Sequence, residues 1–598
     1  MSGLFGYVGK RRALPVLMQG LKLMDSFAFD SCGILLKDKN RIYAKRIIGS
    51  VNDLERGLID YPGQERMGAV HLRWATHGSV EEKNTHPIVD CEGKIAVMHK
   101  GMILNYLELK EKLEAEGHVF RTDTDSEVIA HLIEKNYGGD LSVAVRKALL
   151  EVDGTYGLLV FHEDNNKEMV VANAGMGMII GLTEGEYMVA LDERILFPFT
   201  DRVIYLNDGE MSSISENGVI SSLITGGSIN VINKFVEKIK KSDSGLNNYF
   251  DSIEKEIFSQ PEMVENILAG RIDLSSATAH FGGLGKYKDF LRQINRIVFV
   301  GSGSSFFAAL LAKELIEDYT AIMVNSYSGL QFRYKRFNLS NEKTAFFVIS
   351  QSGSTDDTVA ALREARLLGV NVFGITNTVG SPVARETNAG VFLHSGPSLG
   401  MPSTRSFLAQ LIALILLSVY IGRLKGLSPN TGLDILRLLK KLPQELKIVL
   451  AQSFSIREIV KKYCESNIFL VIGEKYCQAI ARETALMLSE IGDVSAEASS
   501  LSEVKYGMIN KVNENFSVIC LLPRDLLFEE NVKMAKAIKN QGAKVIIVTD
   551  EINEEFEKVF SDVIYVPKSR DIISPILFLM ALQMFVFYLG KEKNSLIV

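Results

Sequence analysis

The chain is poor in cysteine, and this shortage excludes a scaffold stabilised by disulfides. Five cysteines occur in 598 residues, scattered and odd in number. Such usage predicts reduced thiols in a cytoplasmic protein. No CxxC pair and no close His/Cys spacing predicts a metal centre, so we expect no metal and no cofactor. The cysteines are Cys32, Cys91, Cys464, Cys477 and Cys520.

Long basic runs are also missing. The 66 Lys and Arg residues are outnumbered by 72 Asp and Glu residues, which gives a net charge of −6. This mild acidity argues against nucleic acid as the main partner. The remaining composition, 47% apolar and 23% charged, is that of a globular protein. Because the chain is too long for one hydrophobic core, we expect roughly two to four domains.

Apolar segments of membrane-spanning length are scarce as well. The first residues lack the long apolar core of a signal peptide. Two apolar stretches, one starting at Phe407 and one at Ile573, fall short of the about 20 residues that span a bilayer comfortably. Each also contains Gln together with Ser or Pro. We therefore expect buried helices, in a core or a subunit interface, and no membrane partner.

Two different patterns divide the chain. Residues 1–225 carry short, alternating or fully apolar runs that predict stacked antiparallel sheets with helices outside. A polar, lysine-bearing stretch at 226–248 is interpreted as a linker. From about residue 290, strands, serine or glycine turns and long helices alternate, which is typical of a doubly wound parallel sheet. The predicted fold class is thus α+β followed by α/β.

The second half contains the strand–turn–helix unit twice. We place the two copies at residues 249–440 and 441–598. Aligning them pairs SQSGST, which starts at Ser350, with LLPRDL, which starts at Leu521. The second copy therefore keeps the scaffold without the serine turn, and one working pocket for the pair is the simplest inference.

The serine turns predict a phosphate site. A turn between a strand and a helix N-terminus offers free backbone N–H groups and the positive end of the helix dipole. SQSGST adds hydroxyl donors, and GSGSS, Gly301–Ser305, repeats the arrangement in the preceding unit. No lysine completes a P-loop, so uncharged donors favour a sugar monophosphate. Helix capping alone explains one such turn; two adjacent turns favour a phosphosugar site.

Several motifs in order resemble one known family. They are SGLFGYVG near the start, HLRWATHG at His71, HKGMILNYLELK at His99, TDSEVIAHLI at Thr124, KEIFSQP at Lys255, SQSGST at Ser350 and PSTRSF at Pro402. The chain is therefore identified as a member of the glucosamine-6-phosphate synthase family, the glutamine–fructose-6-phosphate aminotransferases. The resemblance implies an Ntn-type αββα glutaminase-like domain followed by two SIS domains of flavodoxin-like, doubly wound fold.

The resemblance also implies functions for individual residues. In the family, ammonia freed from glutamine passes through a tunnel to fructose 6-phosphate, which is aminated and isomerised to glucosamine 6-phosphate. A homodimer through the SIS half is expected. The sugar-phosphate ligands carried over are Ser304, Ser305, Ser350, Gln351, Ser352, Thr355 and Ser403.

The glutamine site departs from the family at its reactive positions. The family's nucleophilic cysteine is Ser2 here, and its HNG oxyanion motif is His99-Lys100-Gly101. The family's Arg-Gly-Tyr-Asp-Ser has become Phe27-Ala28-Phe29-Asp30-Ser31. A serine hydroxyl is far less acidic than a thiol, so we expect glutamine hydrolysis to be lost. Residues that match the glutamine-holding positions remain: Arg73, Trp74, Thr76, His77, Gly101 and Asp125.

The isomerase site also departs. Glu490 matches the family's base for proton transfer, and Glu483 lies two helical turns earlier on the same face. The family's lysine between them is Met487, and its ring-opening histidine is Tyr506. Lys593 is either the counterpart of the family's imine-forming lysine or a solvated charge, the reading we prefer.

Three hypotheses follow from these matches and losses. The first is an enzyme that aminates, deaminates or isomerises a hexose phosphate through Glu490, with ammonia rather than glutamine. The second is a catalytically dead hexose-phosphate-binding protein that acts as a sensor or as the partner of an active paralogue. The third is a weak but complete synthase that uses Ser2 and Lys593.

Overall fold

The computed structural model describes residues 3–24, 29–38, 41–73, 77–164, 168–229, 237–238, 249–335, 343–396 and 403–597. The chain divides into two compact units, residues 1–246 and 247–598. The linker predicted at 226–248 lies largely outside the described residues. A helix, Pro429–Leu450, runs across the boundary predicted between residues 440 and 441.

The first unit contains two antiparallel sheets. Within the described residues, one sheet has the strand order β15-β11-β9-β10-β1-β4-β2-β3 and the other β14-β13-β12-β8-β7-β6-β5. The strands are β1 (Gly3–Val8), β2 (Ser31–Asp38), β3 (Arg41–Ile48), β4 (Met67–Arg73), β5 (Ile88–Val89), β6 (Ile95–Ile103), β7 (Gly154–His162), β8 (Met169–Ala174), β9 (Ile179–Thr183), β10 (Glu186–Ala190), β11 (Arg202–Tyr205), β12 (Glu210–Ser215), β13 (Gly218–Leu223), β14 (Ser228–Ile229) and β15 (Glu237–Lys238).

Helices cover the outer face of each sheet. They are α1 (Ala13–Met24), α2 (Val51–Arg56), α3 (Tyr106–Ala115), α4 (Glu127–Asn136), α5 (Leu141–Leu149) and α6 (Glu193–Leu196), with a 3₁₀ turn at Glu82–Asn84. One apolar cluster joins α1 to the first sheet, a second joins α3, α4 and α5 to the second sheet, and a third fills the space between the sheets. The αββα layer order predicted for this half is present.

The second unit contains two parallel five-stranded sheets, ordered β19-β18-β20-β21-β22 and β24-β23-β25-β26-β27 in the described residues. Their central strands are buried on both faces, which explains their continuous apolar runs. The doubly wound α/β prediction is confirmed. The strands are β16 (Ile272–Asp273), β17 (Thr278–Ala279), β18 (Arg296–Gly301), β19 (Met323–Ser328), β20 (Thr344–Ser350), β21 (Asn371–Thr376), β22 (Ala389–Phe392), β23 (Ile468–Ile472), β24 (Ser495–Ser499), β25 (Phe516–Leu522), β26 (Lys544–Thr549) and β27 (Asp562–Tyr565).

The helices of this unit connect and cover the two sheets. A 3₁₀ turn spans Gly282–Tyr287 and a π turn spans Val504–Met508. The helices are α7 (Tyr249–Phe258), α8 (Gln260–Leu268), α9 (Lys288–Gln293), α10 (Ser304–Tyr319), α11 (Gly329–Arg333), α12 (Asp356–Leu367), α13 (Pro382–Glu386), α14 (Thr404–Leu424), α15 (Pro429–Leu450), α16 (Ser453–Lys461), α17 (Cys477–Glu490), α18 (Leu501–Glu503), α19 (Phe528–Asn540), α20 (Glu554–Val559) and α21 (Ser574–Ile597).

The two apolar stretches form α14 and much of α21. Both helices are long and apolar enough to cross a membrane. In the most apolar 18 residues of each, however, 89% of α14 and 94% of α21 are buried inside the unit. They belong to one apolar cluster that joins the two sheets through α10, α14, α17 and α21. The expectation of buried core helices is confirmed. Because the chain itself covers α14, this helix gives no separate support for a dimer.

Candidate functional site

The two serine turns lie next to each other at the carboxyl edge of the first parallel sheet. β18 ends at Gly301 just before α10, and β20 ends at Ser350 just before α12. The two strands are neighbours in the sheet. Ser302 Oγ lies 3.1 Å from Thr358 Oγ1 and so joins the first serine turn to the first turn of α12. Two helix N-termini and their hydroxyl groups therefore share one edge, where open α/β sheets bind their ligands.

Gly353 gives the second turn its shape. Its φ is +66°, and a Cβ there would lie 2.0 Å from Ser381 Oγ. Its amide donates to Ser350 Oγ over 3.0 Å. Ser352 Oγ accepts from the amide of Ser354 over 3.3 Å. Any side chain at Gly353 would push the turn away from the sheet edge.

The predicted sugar-phosphate residues are placed as follows. Ser304, Ser305, Ser350, Gln351, Ser352 and Thr355 all lie in the two turns or at the helix starts they lead into. Ser403 immediately precedes α14. The same helix contributes the Gln410 amide, which donates to Ser305 Oγ over 3.1 Å.

A helix from the second parallel-sheet domain reaches the first serine turn. Ser304 Oγ donates to Glu483 Oε1 on α17 over 3.0 Å. At the other end of α10, Asp318 pairs with Lys475, just before α17, at 3.0 Å. The two helices are therefore antiparallel. Glu490, two turns or about 10 Å beyond Glu483, extends past the start of α10 towards the serine-turn edge.

Burial changes the acidity of both carboxyl groups on α17. It raises the pKa of the fully buried Glu483 to about 8, an effect that the bond from Ser304 partly offsets. It also raises the pKa of the half-buried Glu490 to about 7. A carboxylate that titrates near neutral pH suits general base catalysis. Between them, Met487 is fully buried in the apolar cluster.

We predict that Glu483 makes stability depend on pH. Its ordinary pKa is 4.5 and its folded pKa is about 8, so the folded chain binds more protons between these values. The free energy of unfolding should therefore fall as pH rises through this window, by up to about 1.4 kcal/mol per unit. Glu483→Gln should flatten the slope in thermal unfolding between pH 5 and pH 8. Glu497→Gln, at an exposed position, is the control. If the dependence of stability on pH is the same in Glu483→Gln as in wild type, the prediction is wrong.

Tyr506 and Lys593 occupy opposite edges of the second parallel sheet. Tyr506 follows β24 and is 82% exposed, and Lys505 Nζ lies 5.4 Å from the centre of its ring. Glu490 precedes β24, so Tyr506 lies at the far end of that strand from it. Lys593 Nζ donates to Asn467, just before β23, over 3.0 Å. Lys593 and Glu490 thus lie at the same edge of the second parallel sheet, but the Lys593 ammonium donates to the side-chain amide oxygen of Asn467.

The residues that the resemblance assigns to glutamine binding are described only in part. Ser2, Trp74 and Thr76 lie outside the described residues, as do Phe27 and Ala28 of the altered motif. The Arg73 guanidinium donates to the carbonyl of His77 over 2.7 Å and lies 3.8 Å from the carboxylate of Asp30. His77 packs edge-on against Tyr106. The guanidinium of Arg73 thus donates to the backbone carbonyls of residues 77–79.

The altered oxyanion segment lies on β6. Gly101 has a φ of +146°, and a Cβ there would lie 2.0 Å from the carbonyl oxygen of Thr155. The Asp125 carboxylate accepts from the amide of Ile103 over 2.8 Å. Lys100, which replaces the family's asparagine, is half-buried and pairs with Gly157 of β7 in the sheet. A cation thus stands where the resemblance implies a neutral amide.

A buried polar cluster that joins α7, α14 and α21 is not singled out by the sequence pattern. Thr404 Oγ1 donates to the buried Glu256 carboxylate, and the Gln583 amide donates to the carbonyl of Thr404 over 3.1 Å. Burial lowers the pKa of the neighbouring Arg405. Glu256 and Thr404 lie within the KEIFSQP and PSTRSF motifs, so the motifs themselves were the available signal.

Two family models match the chain. The SIS domain model matches residues 290–420 and 463–589. The glutamine amidotransferase domain model matches residues 71–183. The first model covers both parallel sheets, including the serine turns and α17. The second covers β4 through β9 and includes Arg73, His77, Gly101 and Asp125, for which the resemblance implies glutamine binding.

Full-length relatives are similar along the whole chain. A glutamine–fructose-6-phosphate aminotransferase (isomerizing) of Chlorobaculum tepidum is 35% identical, covering 99% of this chain and 97% of its own. The enzyme of the same name from Pyrococcus horikoshii is 33% identical, with 99% and 97% covered. A solved structure, the C-terminal domain of glucosamine-fructose-6-phosphate aminotransferase from Francisella tularensis, is 25% identical with a TM-score of 0.54. It covers 59% of this chain and 98% of its own.

Proposed function

The chain belongs to the glutamine–fructose-6-phosphate aminotransferase (isomerizing) family, and from that premise we propose that its second half binds a hexose phosphate and moves a proton on it. The phosphate is held at the starts of α10 and α12 by the hydroxyl and amide groups of the two serine turns. Glu490 acts as the base that transfers a proton between C1 and C2. The amino donor, where amination occurs, is free ammonia.

One observation carries this proposal. The hydrogen bond from Ser304 to Glu483 brings α17 of one domain against the phosphate turn of the other. The same helix ends at Glu490, whose pKa burial raises to about 7. Hydrogen-bond donors for a phosphate and a carboxylate with a pKa near 7 are thereby combined in one unit. This combination supports catalysis more than binding alone.

We propose further that the first half does not hydrolyse glutamine. Ser2 offers a hydroxyl where the family has a thiol, and Lys100 replaces the amide of the oxyanion motif. Arg73 and Asp125 remain, which supports retention of the pocket for glutamine or a related amino acid. The third hypothesis, a weak complete synthase, requires both Ser2 and Lys100 to substitute for chemically different groups.

A second candidate function is binding without turnover. It is favoured by Met487, which is fully buried in the apolar cluster where the family has a lysine. The exposure of Tyr506 and the bond from Lys593 to Asn467 point the same way. In that case the chain would serve as a sensor of a hexose phosphate or as the partner of an active paralogue.

Carbon-13-labelled fructose 6-phosphate, incubated with the purified chain, ammonium and glutamine, distinguishes the two candidates by NMR. New signals of glucosamine 6-phosphate or glucose 6-phosphate would support turnover. Shifted or broadened sugar signals without a product would support the second candidate. An unperturbed spectrum at high protein concentration would contradict the binding of this hexose phosphate.

We predict that Ser352→Ala weakens hexose-phosphate binding by about 10- to 100-fold, the range for losing a hydrogen bond to a charged group. Ser352 Oγ accepts from both the amide and the hydroxyl of Ser354, which leaves its own hydrogen to donate. Isothermal titration with fructose 6-phosphate measures the effect. Ser428→Ala is the matched control, because Ser428 only caps α15, accepting from Thr431 over 3.1 Å. Equal affinity in the two variants would contradict the phosphate role.

We also propose a cytoplasmic homodimer that assembles through the second half, without nucleic acid or membrane as partner. The assembly is proposed from family membership, the net charge of −6 argues against nucleic acid, and the burial of α14 and α21 inside the unit argues against a membrane partner. Light scattering of the purified chain tests the assembly state.

A further inference from the structure

Four potential metal ligands meet in the first unit, and none of them is among the site residues carried over from the family. Cys91 lies in the turn between β5 and β6, and His118 follows α3. His131 and Glu134 lie one turn apart on α4. Their ligand atoms all lie within 4.8 Å of one another. We propose that Cys91, His118, His131 and Glu134 form a binding site for one divalent transition metal ion, for which zinc is the best match.

The distances between these atoms match the edges of a tetrahedral site. Cys91 Sγ lies 3.6 Å from His118 Nδ1 and 3.5 Å from His131 Nδ1. Around zinc with ordinary bond lengths, sulfur and nitrogen ligands lie about 3.5 Å apart. Glu134 Oε2 lies 2.9 Å from His118 Nδ1 and 3.1 Å from His131 Nδ1. The corresponding zinc-bound separation is about 3.3 Å, so a small outward movement of one carboxylate completes the tetrahedron.

The groups behind the four ligands are those that support a metal. The second nitrogen of His131, Nε2, lies 3.5 Å from Glu127 Oε1. Glu127 is itself held by the amides of Arg121 and Thr122, each at 2.7 Å. Such a carboxylate fixes the ring and makes its metal-binding nitrogen more basic. The amide of Val119 donates to Cys91 Sγ over 3.4 Å, an arrangement that stabilises a thiolate.

The site is also accessible and chemically selective. His131 is fully buried, whereas the side chains of His118 and Glu134 are 14% and 21% exposed. A metal ion can therefore enter from the surface and bind against a rigid helix. One thiolate, two imidazoles and one carboxylate are ligands that zinc accepts together, and they disfavour magnesium or calcium.

A bound ion would tie two separate segments, the turn at Cys91 and the segment at His118, to α4. The turn at Cys91 precedes β6, which carries Lys100 and Gly101, and α4 follows directly on Asp125. The metal would thus stiffen the two segments that border the glutamine-holding residues. This role is structural and does not depend on either candidate function.

Cobalt(II) titration of the untagged full-length chain, after chelation and dialysis, tests the proposal. One equivalent should bind, with the visible bands of tetrahedral cobalt and a thiolate charge-transfer band. In Cys91→Ser the charge-transfer band should vanish and affinity should fall by more than roughly 100-fold, beyond the loss from removing a supporting group. Cys464→Ser, which changes another half-buried thiol, should leave both unchanged. Zinc should displace the cobalt and raise the thermal unfolding temperature of wild type and Cys464→Ser, but not that of Cys91→Ser.

His118→Gln provides a second variant, because its partly exposed side chain tolerates change without unfolding. It should bind cobalt more weakly and alter the visible bands while keeping the charge-transfer band. Absence of stoichiometric cobalt binding in wild type would overturn the proposal. So would a charge-transfer band that survives in Cys91→Ser, or thermal unfolding that zinc shifts equally in wild type and Cys91→Ser. In those cases the four residues form a hydrogen-bonded network only.

Discussion

Glu490→Gln is expected to lower the rate of proton transfer on fructose 6-phosphate by about 10³-fold, within the range for loss of a general base. Glutamine keeps the size and polarity of the side chain but cannot accept the C–H proton. The serine turns are untouched, so the affinity for the sugar phosphate should remain within about 3-fold, the scatter of ordinary contact effects. Exchange of the C1 or C2 hydrogen with deuterated solvent, followed by NMR, measures the rate.

The pH dependence gives this prediction a second readout. Because the pKa of Glu490 is raised to about 7, only its deprotonated form acts as the base. The exchange rate should therefore rise about tenfold per pH unit below pH 7 and level off above it. Glu483, with its pKa near 8, stays largely protonated across this rise.

A matched control separates the role of Glu490 from a general charge effect. Glu497→Gln removes an exposed carboxylate from β24, the strand that follows Glu490 in the chain, and should leave the rate unchanged. If Glu490→Gln exchanges as fast as wild type, the base is another group. If wild type binds the sugar but exchanges no hydrogen at any pH, the binding-only function replaces the catalytic one.

The serine turns could be predicted because their information is local. A buried strand, a short serine- and glycine-rich turn and a helical repeat stand next to each other in the sequence, and the turn chemistry needs nothing else. Glu483 could be named as a candidate site residue only from the resemblance to the family. Its bond to Ser304 joins positions separated by 179 residues, and no spacing rule specifies such a contact.

The group formed by Cys91, His118, His131 and Glu134 shows what the spacing of residues along the sequence cannot reveal. The expectation of no metal site depended on short Cys and His motifs, and such motifs describe ligands that share one turn or one hairpin. Here Cys91 and His131 are 40 residues apart and meet only after β5, β6 and α4 have packed. His131 and Glu134, one helical turn apart, are the only local part of the set, and that pair is common on exposed helices.

The surroundings of Tyr506 and Lys593 also depend on packing. Their residue types indicate the chemistry that they could perform. The exposure of Tyr506, however, depends on the π turn that contains it, and the contact from Lys593 to Asn467 depends on how α21 packs beside β23. Position by position, the resemblance identifies counterparts; it does not place them around a substrate.

The rate of amination is expected to differ strongly between ammonium and glutamine as the amino donor. Amination of fructose 6-phosphate should proceed with ammonium and fall below detection with glutamine, because Ser2 lacks the acidity of a thiol and Lys100 replaces a neutral amide donor. Release of glutamate from glutamine, measured by a coupled assay, checks the first half alone. Glutamate release by wild type that is abolished in Ser2→Ala would contradict the prediction.

Restoring the family's residues tests whether these two positions account for the loss. Ser2→Cys alone supplies the nucleophile, yet the cation at Lys100 remains beside Gly101, so glutamate release should stay low. Ser2→Cys combined with Lys100→Asn should release at least about tenfold more, as expected when an oxyanion donor is regained. Ser2→Cys with Lys94→Asn, an exposed lysine just before β6, controls for charge removal. Equal rates of glutamate release in the two double variants would show that Lys100 does not account for the loss of activity. The next change to test would then be restoring the family's Arg-Gly in place of Phe27-Ala28.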